Sequence, residues 1–164
     1  MKPLALCLIY LSNKGLKCVR CYPLSISNKD LNKIVGQSMK EDSKDGEFLF
    51  SAVGSKIIAS YAFHVPYESE TIKACFVFVF KSLDFNPQKI NDYFAETIEK
   101  LKQNNMLDME LIANILPKLY SGFRRGDIKI KVKSQVSIQI NSEKKKKRRQ
   151  RKDIIESIGD DLWD

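Results

Sequence analysis

Two segments of this chain are apolar on both of their alternating sets of side chains. Residues 4–11 place Leu4, Leu6, Leu8 and Tyr10 on one side of an extended backbone and Ala5, Cys7, Ile9 and Leu11 on the other. Residues 71–81 set Ile72, Ala74, Phe76, Phe78 and Phe80 against Cys75, Val77 and Val79. Successive side chains of a strand point to opposite faces, so neither segment can turn a face to water, and each needs cover above and below. The two are therefore predicted to be neighbours at the centre of a sheet that carries a layer on both faces. A chain of 164 residues is long enough to build one such core and a tail.

The remaining segments supply the edges and the layers. Residues 16–22 return from the first strand through Asn13-Lys14-Gly15, carry Lys17 and Arg20, and stop at Pro23, as an edge strand does. Ser27 and Asp30 open a helix by capping and first-turn charge. Leu31, Ile34, Val35 and Met39 then form one apolar stripe on a helix running to about residue 41, followed by a polar loop over 42–46. Residues 47–53, 56–65 and 71–81 are three β runs, the first two joined by Gly54-Ser55. Asn86-Pro87 begins a second helix that shows Ile90, Tyr93, Phe94, Ile98 and Leu101. A third, from about Asp108, shows Leu111, Ile112, Ile115, Leu116 and Leu119, with a kink expected at Pro117 and closure at Phe123.

The order of strand, strand, helix, three strands and two helices predicts an α+β fold: a five-stranded, mainly antiparallel sheet with one helix on one face and two on the other. Over residues 1–123 this order and the opening apolar strand resemble a longin domain, the profilin-like module of some vesicle SNAREs and of adaptor, tethering and signal-recognition-particle receptor subunits. The resemblance implies protein recognition without catalysis, cofactor or metal. Its partners would be a small GTPase, a SNARE segment or another longin domain, with homo- or heterodimers among the possibilities. It also implies a partner groove beside the first helix and third strand, here Leu31, Ile34, Val35, Met39, Phe48 and Phe50. The plainer reading of the helix stripe is that it packs the helix onto the sheet. After residue 123 the chain departs from the SNARE pattern, with no long heptad helix and no membrane anchor.

Charge and cysteine usage narrow the function classes. The net charge is +8, yet residues 144–152 alone hold eight Lys and Arg and no acid; outside them 20 basic residues face 20 acidic ones. The globular part is thus not a basic nucleic-acid-binding body. Four cysteines are too few for a disulfide scaffold and point to a reducing, cytoplasmic setting. Residues 4–11 are too short and lack the cleavage site of a signal peptide, and no segment approaches the roughly 20 apolar residues of a spanning helix. Cys18-Val-Arg-Cys21 has metal-type spacing. On a strand, however, residues three apart face opposite ways, and with no second cysteine pair and His64 the sole histidine a zinc set lacks ligands. No nucleophile with a base, no carboxylate pair and no phosphate-binding glycine loop argues for an enzyme.

The C-terminal part divides into three. Residues 124–141 alternate Ile128, Ile130, Val132, Val136, Ile138 and Ile140 with polar side chains, the pattern of one extra extended strand. Residues 142–152 are a basic linker whose Lys144, Lys145, Lys146, Lys147, Arg148, Arg149, Arg151 and Lys152 serve as a solvated spacer, as a contact to an anionic membrane surface, or as a polyanion contact in an RNA- or ribosome-associated protein. Residues 153–164 align Ile154, Ile155, Ile158, Leu162 and Trp163 along one side of a short acidic helix or docking peptide. The leading expectation is a cytoplasmic, longin-like trafficking module held peripherally at membranes, and the alternative is RNA or ribosome association through the basic run.

Overall fold

In the computed structural model, which describes residues 2–126, 128–133 and 136–140, the two doubly apolar segments lie side by side. They are β1 (Ala5–Ser12) and β5 (Glu70–Phe80), antiparallel with Leu6 opposite Phe78 and Leu8 opposite Phe76. With β2 (Gly15–Tyr22), β3 (Phe48–Val53) and β4 (Lys56–Tyr67) they make a five-stranded antiparallel sheet of order β2-β1-β5-β4-β3. The helices among the described residues are α1 (Asn28–Gln37), α2 (Pro87–Gln103) and α3 (Met109–Arg125).

The sheet separates two cores. On one face Ala5, Cys7, Ile9, Ile58, Cys75, Val77 and Val79 pack with Ile34 of α1. On the other Leu6, Leu8, Phe63, Phe76, Phe78 and Phe80 pack with Ile90 and Phe94 of α2 and with Ile112, Leu116 and Phe123 of α3. The volumes match the cover: slender residues lie under one helix and aromatic rings under two. Phe78 stacks on Phe94 with centroids 4.9 Å apart and lies 4.5 Å from Phe123, the offset and tilted geometry that rings prefer. Burial of each such ring contributes about 1.5–3 kcal/mol before entropy is counted.

Every helix starts where its sequence says it should. The side chains of Ser27, Asn86 and Asp108 accept from the amides of Asp30, Lys89 and Leu111, satisfying first-turn donors that the helix itself leaves free. The far ends differ from expectation at α1, which stops at Gln37 rather than near residue 41. The Ser38 amide and hydroxyl both turn back to the Val35 carbonyl and close the last turn, so Met39 is buried as part of the following loop. At α3 the chain passes through Pro117 within a single helix and ends at Gly126 with φ of 78°, a left-handed cap that glycine adopts freely.

Beyond α3, the single strand expected over residues 128–140 is two: β6 (Ile128–Lys133) and β7 (Val136–Ile140), an antiparallel hairpin with Ile128 opposite Ile140. β6 lies along α3 and β7 beside α2. Ile140 is 1% exposed and joins the aromatic core, so packing continues past Phe123.

Candidate functional site

The six residues expected to share a groove fall on opposite faces of the sheet. Ile34 and Met39 are buried, and Leu31 and Val35 half-buried, in the core beneath α1. Phe48 packs against the aromatic core beneath α2 and α3. The register explains the split: Phe48 opposes Tyr61 and Phe50 opposes Ala59, both of which face the aromatic core. A cross-strand pair shares a face, so the sheet stands between the α1 stripe and these two rings. Phe50, 55% exposed, is the most exposed member of the set.

The two edges of the sheet are unequal. Among the described residues β2 pairs only with β1, and β3 only with β4. An open edge offers unpaired backbone donors and acceptors, and charge, proline and irregularity are the usual means of blunting it. β2 has all three: Lys17 and Arg20, Pro23 just beyond its end, and a register shift. β3, with the sequence Phe-Leu-Phe-Ser-Ala-Val, has neither charge nor proline.

Arg20 does more than blunt the edge. Pro117 has no amide hydrogen, so the carbonyl four residues earlier, that of Ala113, loses its helical donor. The Arg20 guanidinium donates to that carbonyl through Nη1 at 2.8 Å, tying β2 to the middle of α3. Beside this contact a cleft of about 470 Å³ opens between β1, β2, the end of β4 and the first half of α3, lined among others by Tyr10, Lys17, Tyr67, Glu110 and Asn114. Four elements contribute to it, and no linear spacing announces it.

The register shift in β2 also rearranges the thiols, and here the sequence expectation is corrected. Leu8 opposes Arg20 while Ile9 opposes Cys18, which leaves Val19 as an extra residue in β2. Such a bulge inverts the alternation, so Cys18 and Cys21, three apart, point to the same side. Cys21 sits directly across from Cys7, whose thiol donates to the Cys21 Sγ at 2.8 Å. Cys75 is buried on the same face. Cys7 has its pKa raised, chiefly by side-chain hydrogen bonding with Cys18 and Cys21 and secondly by burial. Cys18 and Cys21 are lowered by accepting from it. Burial pushes Cys75 up to about 12.

Among the described residues, no group of three or more His, Cys, Asp and Glu side chains is placed to hold a metal ion, and no helix is long and apolar enough to cross a membrane. His64 is a half-buried residue of β4 opposite Lys73, with its amide donating to Asp45. The basic residues Lys144–Lys147, Arg148, Arg149, Arg151 and Lys152, and the apolar Ile154, Ile155, Ile158, Leu162 and Trp163, lie outside the described residues. The chain matches no protein-family model and no curated protein sequence.

Proposed function

We propose that this chain is a longin-like protein-interaction module of membrane trafficking, recruited to membrane surfaces from the cytoplasm, and that it binds an extended partner segment along the open edge of β3. The observation that carries this reading is the inequality of the edges. β2 is blunted and tied to α3, whereas β3 offers an uncharged strand with Phe50 projecting at 55% exposure. A segment added there gains main-chain hydrogen bonds from the strand and specificity from side-chain contacts, with Phe50 as the aromatic anchor. The longin part of the reading rests on element order and on the sheet with one helix opposite two. The partners in keeping with it are a SNARE segment, a small GTPase or a second longin domain.

The test is binding of the full chain to a panel of purified SNARE segments, small GTPases and longin domains, alongside the Phe50→Asp variant. At least one panel member should bind, and the variant should weaken it by about tenfold or more with an unchanged circular dichroism spectrum. Silence across the panel sinks the trafficking reading. Full binding by Phe50→Asp sinks the β3 edge.

A further inference from the structure

The thiol group on the α1 face has no part in edge binding, and its geometry exceeds what a packed core requires. We propose that Cys7 and Cys21 are a disulfide-forming modification site, oxidised by a small-molecule disulfide that enters at Cys18. The first support is position. Cys7 and Cys21 are directly opposed on antiparallel strands with their sulfurs 2.8 Å apart. Opposed residues of such strands have Cα atoms about 4.5–5.5 Å apart, inside the roughly 4.4–6.8 Å span that a disulfide bridges. Closing the bond calls for a side-chain adjustment and no movement of either strand.

The second support is access. Cys7 and Cys75 are fully buried; Cys18 and Cys21 both border a surface hollow with Val19, Leu24 and Leu31, and of the two Cys18 is the more open, half-buried where Cys21 is 7% exposed. The bulge at Val19 is what puts Cys18 on the face of the sheet that holds Cys7 and Cys21. Without it the entry thiol and the buried pair would be on opposite faces of the sheet. Hydrogen bonding with Cys7 lowers the Cys18 pKa, which favours the thiolate, the form that attacks a disulfide.

The chemistry balances as successive exchanges. The Cys18 thiolate attacks one sulfur of the small disulfide, forming a mixed disulfide and releasing the first small thiol. The Cys7 sulfur attacks Cys18, forming a Cys7–Cys18 bond and releasing the second small thiol. Cys21 then attacks Cys7, forming Cys7–Cys21 and returning Cys18 as the thiolate. The small disulfide is reduced by two electrons, the Cys7–Cys21 pair is oxidised by two, and the protons of Cys7 and Cys21 end on the two released thiols. Cys75 takes no part.

The full chain, reduced and then incubated with excess oxidised glutathione, tests this by alkylation, intact-mass measurement and peptide mapping. Two of the four thiols should be lost, with a linked pair of peptides that contains Cys7 and Cys21. Cys18→Ser should give the same product at least about tenfold more slowly, and Cys75→Ser should behave as the parent. Retention of all four thiols by the parent overturns the site, as does an end product that is only a glutathione adduct. Reaction of Cys18→Ser at the parent rate overturns the entry role. The parent result stands without the variant, so a folding defect in Cys18→Ser does not blunt the test.

Discussion

At the scale of single residues, Arg20 and Pro117 form a pair that neither explains alone. A proline inside a helix costs about 3 kcal/mol or more, partly because the carbonyl four residues earlier loses its donor. α3 nevertheless runs unbroken from Met109 to Arg125, and the Ala113 carbonyl receives the Arg20 guanidinium instead. Arg20→Ala is therefore expected to cost about 1 kcal/mol in urea unfolding, at the modest end for a charge-assisted bond because the contact is exposed. In a Pro117→Ala background, where the helix supplies its own donor, the same substitution should cost markedly less. Equal costs in the two backgrounds would show that Arg20 acts independently of the missing amide. Asp30 gives a second residue-scale expectation. Its hydrogen bond to Lys56, at 2.8 Å, is the main cause that holds its carboxyl below the ordinary value, with the Ser27 cap assisting. The unfolded chain then binds a proton at about pH 3.9, where the folded chain still resists. The stabilisation is complete above that pH and is lost as pH falls through the lower folded value. Denaturant midpoints measured through this acid range should fall less steeply in Asp30→Asn, and an identical slope would rule the pair out as a contributor. Added salt should shrink the difference, because both side chains keep partial contact with solvent, 21% for Lys56 and 39% for Asp30.

At the scale of elements, what could be read from the sequence depended on how local its cause is. The caps at Ser27, Asn86 and Asp108 are local and stand where the residues imply. So does the adjacency of β1 and β5, because a doubly apolar strand admits few positions. The bulge at Val19 was hidden, since it depends on pairing with β1 and leaves no mark on composition. It decided which way Cys18 faces. The groove expectation failed for a related reason: in Phe48–Val53 both alternating sets begin with large apolar residues, so only pairing with β4 assigns the faces. Residues 128–140 read as one strand because the alternation of Ile and Val keeps its phase from Ile128 to Ile140, and no glycine, proline or asparagine interrupts it. The β4–β5 turn shows the converse. Glu68 and Ser69 both have positive φ, 46° and 71°, the conformation of a two-residue primed turn, although neither is the glycine or asparagine such a turn favours. Left-handed backbone costs a non-glycine residue about 1–2 kcal/mol. The double substitution Glu68→Asn, Ser69→Gly is expected to stabilise by about 1 kcal/mol, read as a higher denaturant midpoint at constant slope. A lower midpoint would mean that these side chains hold contacts more valuable than the relieved strain.

At the scale of the whole molecule, the two-sided sheet sets where function can reside. Both faces are occupied by helices, so the described surface that remains open to a partner strand is at the edges, and of these β3 is unguarded. The sheet and its three helices do not close the core alone, however. Ile140, from the far end of the β6–β7 hairpin, is buried with Leu6, Phe78 and the α2 and α3 side chains, and β6 and β7 run beside α3 and α2. A chain ending at residue 126 therefore exposes apolar surface that the longer chain covers. Ile140→Ala should cost about 2–4 kcal/mol, the range for removing most of a buried branched side chain and leaving a cavity. Truncation after residue 126 should cost at least as much and should lower the denaturant slope, because less surface is exposed on unfolding. An Ile140→Val substitution serves as the graded control at about 1 kcal/mol. If the truncated chain unfolds at the parent midpoint, the hairpin is an appendage and the core is complete at α3. If truncation and Ile140→Ala lower it together, the hairpin is part of the folding unit, and binding at the β3 edge must be measured on chains that keep it.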